Sequence, residues 1–146
     1  MATILSVSNQ KGGSGKTTLA VNLARVFARS GPAVLVDADP QRSASGFLES
    51  SPELPVVSAP DVAALQRVLR ESRTAAGFVV IDCPPILPDV NAAAVAAADV
   101  VLVPCNPSPL DIAAAAPLLE ALAAGKRAAL VVLCRCLLYT SDAADE

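Results

Sequence analysis

The sequence predicts an α/β fold: a doubly wound, mostly parallel sheet with helices on both faces. Three observations predict it. Runs of four to six apolar residues recur along the chain, continuous rather than alternating. Strands of that kind are buried on both faces, and such strands pair in parallel. Segments of helical periodicity separate the runs. Several runs end on a glycine loop, an aspartate or a proline, and open α/β sheets gather their chemistry beyond the carboxyl ends of their strands.

Each element follows in order. Ile4–Ser8 (ILSVS) reads as a buried strand running into a glycine loop. A helix starts at Lys16, with Leu19, Leu23, Val26 and Phe27 expected on its inner face, and Gly31-Pro32 ends it. Ala33–Val36 is a second strand, ending at Asp37. The polar stretch Asp39–Ser51 reads as a loop, and Leu54–Ser58 as a short strand. Asp61 caps a helix whose inner side carries Val62, Leu65, Val68 and Leu69. Phe78–Ile81 is a strand ending at Asp82, and a helix covers Val90–Ala98. Val100–Val103 is a strand expected to stop at Pro104. Asp111–Ala124 is a helix that Pro117 should start late or kink, and Ala128–Leu133 is a last buried strand. No repeat or linker divides the chain.

Composition narrows the class. Over half the residues are hydrophobic but only 3% are aromatic, so Ala, Val, Leu and Ile must fill the core. Asp99 and Asp111 interrupt the alanine-rich stretches, which excludes a membrane-spanning run. No basic-then-apolar leader opens the chain, so the cytoplasm is the expected location. Cys83, Cys105 and Cys134 lie in apolar runs, as small buried thiols do. The net charge of −3 comes from Asp142, Asp145 and Glu146; without them acids and bases balance. Arg67, Arg70 and Arg73, beside Glu71, form either a solvated helix face or a non-specific DNA patch.

The chemistry is concentrated in "NQKGGSGKTT", residues 9–18. The phosphate-loop pattern G-x-x-x-x-G-K-[ST] fits at Gly15-Lys16-Thr17, but its first glycine position holds Gln10. Gly12, Gly13, Ser14 and Gly15 still let backbone N–H groups curl around an anion at a helix N-terminus. Lys16 suits the β- and γ-phosphates of ATP, the Thr17 hydroxyl suits Mg²⁺, and Thr18 stands beside the phosphates. Asp82, in "VVIDCPP", can bind the Mg²⁺ water shell from the next strand, or simply start a turn before Pro84-Pro85. Asp37 and Asp39, in "VDADPQ", are turn residues before Pro40 or carboxylates near the phosphates. Asp37 is a further candidate for the Mg²⁺ water shell. The chain has no histidine, so a general base must be a carboxylate or water, and Asp39 is the candidate.

Together "KGGSGKTT", "DADPQ", "IDCPP" and "VPCNPSPLDI" resemble the ParA-type partition ATPases within the ParA/MinD group of P-loop ATPases with a deviant Walker A loop. The resemblance runs from Ile4 to about Arg135 and matches the short subtype. It implies a weak Mg²⁺-dependent ATPase that forms an ATP-dependent homodimer. Lys11 matches the lysine that reaches across that dimer to the partner's phosphates, as a point charge on a flexible stem can. The resemblance also implies a ParB-type centromere-binding partner, non-specific DNA binding by the dimer on the nucleoid, and a role in plasmid or chromosome segregation without a membrane. The alternatives are a MinD-like membrane-associated positioning ATPase and a reductase like the nitrogenase iron protein. The last eleven residues, Cys136–Glu146, resemble translated sequencing adapter, so the natural domain is expected to cover residues 1–135 and to be incomplete at its C-terminus.

Overall fold

The computed structural model describes residues 1–41, 44 and 54–135. Its elements are β1 (Thr3–Val7), α1 (Lys16–Ala28), β2 (Ala33–Asp37), β3 (Val56–Ser58), α2 (Val62–Ala75), β4 (Phe78–Asp82), α3 (Pro88–Ala97), β5 (Val100–Cys105), α4 (Pro109–Ala124) and β6 (Ala129–Leu133). The six strands form one sheet in the order β3-β2-β4-β1-β5-β6, and every pairing is parallel. β1 therefore lies inside the sheet, between β4 and β5.

Successive strand residues face opposite layers. Ile4, Val36, Val79, Ile81, Val101 and Val103 meet α2, α3 and α4, while Leu5, Val7, Leu35, Val80 and Leu102 meet α1. Both faces of the central strands are thus apolar, as the continuous runs require. Asp61 caps α2 as expected, its Oδ1 accepting the Ala64 N–H at 2.8 Å. Most of the loop expected at Asp39–Ser51 and the tail Cys136–Glu146 lie outside the described residues.

Four expectations are corrected. On α1 the buried face is Lys16, Ala20, Val21 and Ala24, with Leu19, Leu23 and Phe27 partly buried at its flanks and Val26 turned outward. Small residues let the helix approach the sheet closely, and Phe27 finds its partner by stacking on Phe78 with ring centroids 4.4 Å apart. β5 does not stop at Pro104 but continues through it to Cys105. The residue needs no N–H there: the pairing of β5 with β1 has ended at Leu102, and the Pro104 carbonyl accepts from the Asn9 side chain. α4 starts early rather than late, because Ser108 caps it and Pro109 occupies its first turn; Pro117 lies inside the continuous helix. Finally, β6 is not buried. Among the described residues it pairs with β5 alone, and Leu130, Val131 and Leu133 are exposed.

Replacing Asp61 with alanine removes the α2 cap without touching the sheet, and should lower stability by about 1 kcal/mol in urea unfolding. An unchanged midpoint would show that the cap contributes nothing.

Candidate phosphate-binding site

The register brings the site together. Val7 of β1 and Asp37 of β2 both pair with Asp82 of β4, so three strands end at one level. The ladder continues one step further, with Cys83 N–H donating to Val7 O and Ala38 N–H to Asp82 O. The loop of residues 8–15 leaves β1 at that level and delivers the N-terminus of α1 beside both aspartates.

Within the loop, Gly13 and Gly15 have φ of 71° and 94°. Both lie in the left-handed region that side chains with a Cβ resist. Gly15 is also the N-cap of α1 and is approached by Cys134, whose Sγ would stand 3.4 Å from an added Cβ. Gly12 has neither constraint. Ser14 is buried, and the Gly12 and Gly13 positions are open to solvent.

Lys16 is buried at the first position of α1, and its ammonium donates to the Lys11 carbonyl at 2.9 Å. Burial lowers its pKa, against the opposing pull of Asp82, Cys83 and Asp39. Thr17 Oγ1 donates to Asp82 Oδ2 at 2.7 Å. The other oxygen, Asp82 Oδ1, is buried and accepts no hydrogen bond among the described residues. An orphaned carboxylate oxygen next to a threonine hydroxyl is the donor set of a hard cation with its water shell, so these residues fit Mg²⁺. Asp37 is fully buried and accepts from the Asp39 N–H at 3.2 Å, while half-buried Asp39 accepts from the Gln41 N–H at 2.9 Å. Both turn geometry and proximity to the site therefore hold for this pair. Thr18 is exposed, and its carbonyl accepts from Asn22. Lys11 is ion-paired with Asp111 at the start of α4.

Sequence reasoning missed three supporting residues. Asn9 donates from Nδ2 to Pro104 O at 2.7 Å and accepts the Lys11 N–H at 3.1 Å, tying the loop to the end of β5. Asn91 of α3 donates to the carbonyls of Pro84 and Leu87 and accepts from Ser8 Oγ, holding the turn after Asp82 against β1. Asp111 is the third, through its pairing with Lys11. Asn9 lies in the quoted loop and Asp111 in "PSPLDI", but their partners are distant in sequence. Cys83 and Cys105 are buried as expected, and burial pushes the Cys83 thiol up, away from the thiolate a metal cluster needs. No helix among the described residues is long and apolar enough to cross a membrane.

The CobQ/CobB/MinD/ParA nucleotide-binding domain model matches residues 5–135. The chain belongs to this family. Among its relatives, the maintenance of carboxysome distribution protein A of Gloeobacter kilaueensis is 44% identical over 118 residues, covering 75% of this chain and 52% of the relative. The chromosome-partitioning ATPase Soj of Thermus thermophilus is 35% identical over 133 residues, covering 68% and 53%. The chain thus spans about half the length of these curated relatives. Two solved structures share the fold. Apo McdA of Cyanothece has a TM-score of 0.78 at 20% identity, covering 91% of this chain and 72% of that one. The MinC:MinD complex of Aquifex aeolicus has a TM-score of 0.76 at 22% identity, covering 90% and 68%. The fold expectation, an α/β P-loop domain with a parallel sheet, is met.

The environment of Asp82 sets a pH dependence. Burial pushes its carboxyl up to about 6; the Thr17 bond and Lys16 oppose this, and Asp37 and Asp39 add to it. The unfolded carboxyl titrates near ~4, so between ~4 and about 6 the folded chain keeps a proton the unfolded chain has lost. Stability contributed by this group is therefore present at low pH, falls across that window and stays lower above it. Asp82→Asn keeps an acceptor for Thr17 and removes the charge. With chelator and no nucleotide it should raise stability at pH 7.5 by on the order of 2 kcal/mol and flatten the decline between pH 4 and 6. A urea midpoint at pH 7.5 no higher than that of the parent chain would contradict this account of the buried charge.

Proposed function

We infer that this chain carries the nucleotide site of a Mg²⁺-dependent ATPase whose ATP state controls whether two copies pair, and that the whole protein uses this switch to position a cargo in the cell. The observation that carries the reading is the Thr17–Asp82 bond beside Lys16: a buried ammonium, a hydroxyl and an orphaned carboxylate oxygen at the N-terminus of a helix.

The roles follow from charge and reach. Gly12, Gly13, Ser14 and Gly15 present backbone N–H groups to the phosphates, with Thr18 beside them. Lys16 balances charge at the β- and γ-phosphates. Thr17 and Asp82 would hold Mg²⁺, Asp82 and Asp37 through its water shell, and the ion would neutralise charge developing on the phosphates. Asp39 accepts the proton of the attacking water or orients it. Lys11 supplies its charge to the phosphates of a second copy. Domain bounds of 1–135 agree with the span of the family match and belong to the same reading.

For the cargo, the relatives' names support a large body that is partitioned or distributed: a chromosome for Soj, a carboxysome for the Gloeobacter protein. "DPQ" and "PSPLD" favour the partition side, with a ParB-type adaptor and non-specific DNA as the track on the nucleoid. The 44% identity with the carboxysome protein gives a carboxysome-type cargo equal standing. A membrane-bound MinD-like role is the weaker reading.

The two loop lysines should separate binding from pairing. Lys16→Ala should lose ATP binding, read by calorimetry, whereas Lys11→Ala should retain affinity for ATP yet fail to dimerise with ATP and Mg²⁺ in light scattering. Retained affinity in Lys16→Ala would remove the loop from its assigned role.

Asp39→Ala should bind ATP as the parent chain does and hydrolyse it at least tenfold more slowly, leaving dimers that persist. Turnover at the parent rate would return Asp39 to its role as a turn residue.

A further inference from the structure

We propose that the groove between α3 and α4 is a binding site for an aliphatic carboxylate, with the hydrocarbon chain lying between the two helices and the carboxylate on Arg127. The site is separate from the one assigned to ATP and does not depend on that reading.

The groove follows from the composition of the two helices. α3 packs over β1 and α4 over β5, which are neighbours in the sheet. Ala94 and Ala115 belong to the buried core beneath them. The sides that line the groove carry Ala92, Ala96 and Ala121, with Gly125 just past α4, and residues this short leave a gap. The gap is a cleft of about 670 Å³. Small-molecule sites occupy roughly 300–1,000 Å³ and are mostly apolar. Val95, Leu118 and Leu122 line this one, and Ile86, 81% exposed, stands beside it. From Pro88 to Ala96 the groove runs on the order of 12 Å, at ~1.5 Å per helical residue.

The polar groups decide what kind of molecule fits. At the end nearest the phosphate loop, Asn91 is already committed within the protein. Its Oδ1 accepts from Ser8 Oγ at 3.1 Å, and its Nδ2 donates to Pro84 O at 2.7 Å and Leu87 O at 2.9 Å. That end asks for apolar contact. At the other end stands Arg127, the one charged residue among those that line the groove. Its N–H donates to Leu122 O at 2.9 Å, which fixes the backbone there. Its guanidinium has no acidic partner among the described residues. A guanidinium takes a carboxylate through two parallel hydrogen bonds, and the chain removes apolar surface from water. With a single cation lining the groove, a single negative charge is the match. Lys16, Thr17, Asp39 and Asp82 do not line it, so the bound molecule is a regulator rather than a substrate. Asn91 links the two sites, since it lines the groove and also fastens the turn after Asp82.

The test is calorimetry on the nucleotide-free chain with decanoate below its micelle concentration, against hexanoate and decyltrimethylammonium. Decanoate should bind once per chain, about tenfold more tightly than either, because one comparison shortens the chain and the other reverses the charge. Arg127→Gln should weaken decanoate about tenfold and leave the cation no worse. Ala96→Leu and Ala121→Leu, which put a larger side chain into the groove, should weaken decanoate and the cation together. Decanoate binding no tighter than the cation would overturn the proposal, as would parental affinity in Arg127→Gln or in both leucine variants. Should Arg127→Gln fail to fold, high salt decides on the parent chain: it should narrow the preference for decanoate over the cation, and a preference indifferent to salt would overturn the role of Arg127. A nucleotide-free dimer in light scattering that Ala96→Leu dissociates would overturn the proposal by making a second copy the occupant. No ATP enters these measurements, so their failure leaves the ATPase reading standing.

Discussion

The structure depends on one constraint: two carboxylates, Asp37 and Asp82, are buried side by side at the ends of neighbouring strands. Their register makes them level, and both are essentially inaccessible to solvent. Buried negative charge must be met by positive charge or by donors. The chain meets it with the ammonium of Lys16, the hydroxyl of Thr17 and the N-terminus of α1. The balance is incomplete. Asp82 Oδ1 has no hydrogen-bond partner among the described residues, and the Asp82 carboxyl is pushed up to about 6. A site that is short of positive charge and of donors has reason to bind a cation, and a cation carrying phosphates would satisfy the loop as well.

The loop can serve that site because it is held from outside. Asn9 fastens its start to β5, Lys11 pairs with α4, and Cys134 packs against Gly15 from the end of β6. On the other side, Asn91 fastens the turn after Asp82. The phosphate loop and the segments after β4 and β5 are therefore mechanically connected in the folded chain. A change of ligand at the loop has a short physical route to α3 and α4, through hydrogen bonds rather than through the core.

Much of this was legible in sequence, for local reasons. The strands are continuously apolar, the helices carry their own caps and punctuation, and "GKT" after a strand and before a helix has few physical meanings. Thus the parallel sheet, the start of α1 at Lys16, the Asp61 cap and the strand-end positions of Asp37 and Asp82 were all readable from neighbours along the chain. Errors arose where the deciding contact is distant. Val26 looked as apolar as Leu23, but close packing on the sheet selects Ala20 and Ala24 for the inner face. Pro104 looked like a stop, yet a side chain 95 residues earlier in sequence takes the place of a ladder partner.

The sequence by itself determined the type and order of elements and the chemistry of the loop, because periodicity, capping and the glycine–lysine–threonine spacing act over a few residues. Only the tertiary structure decided which groups meet. That Asp82 stands level with Val7 and Asp37 is a matter of strand register, set by pairing across the sheet. That Lys11 rests on Asp111, a hundred residues away in sequence, follows from β1 and β5 being neighbours in the sheet. No local rule encodes either meeting, since each exists only after the strands have chosen their order.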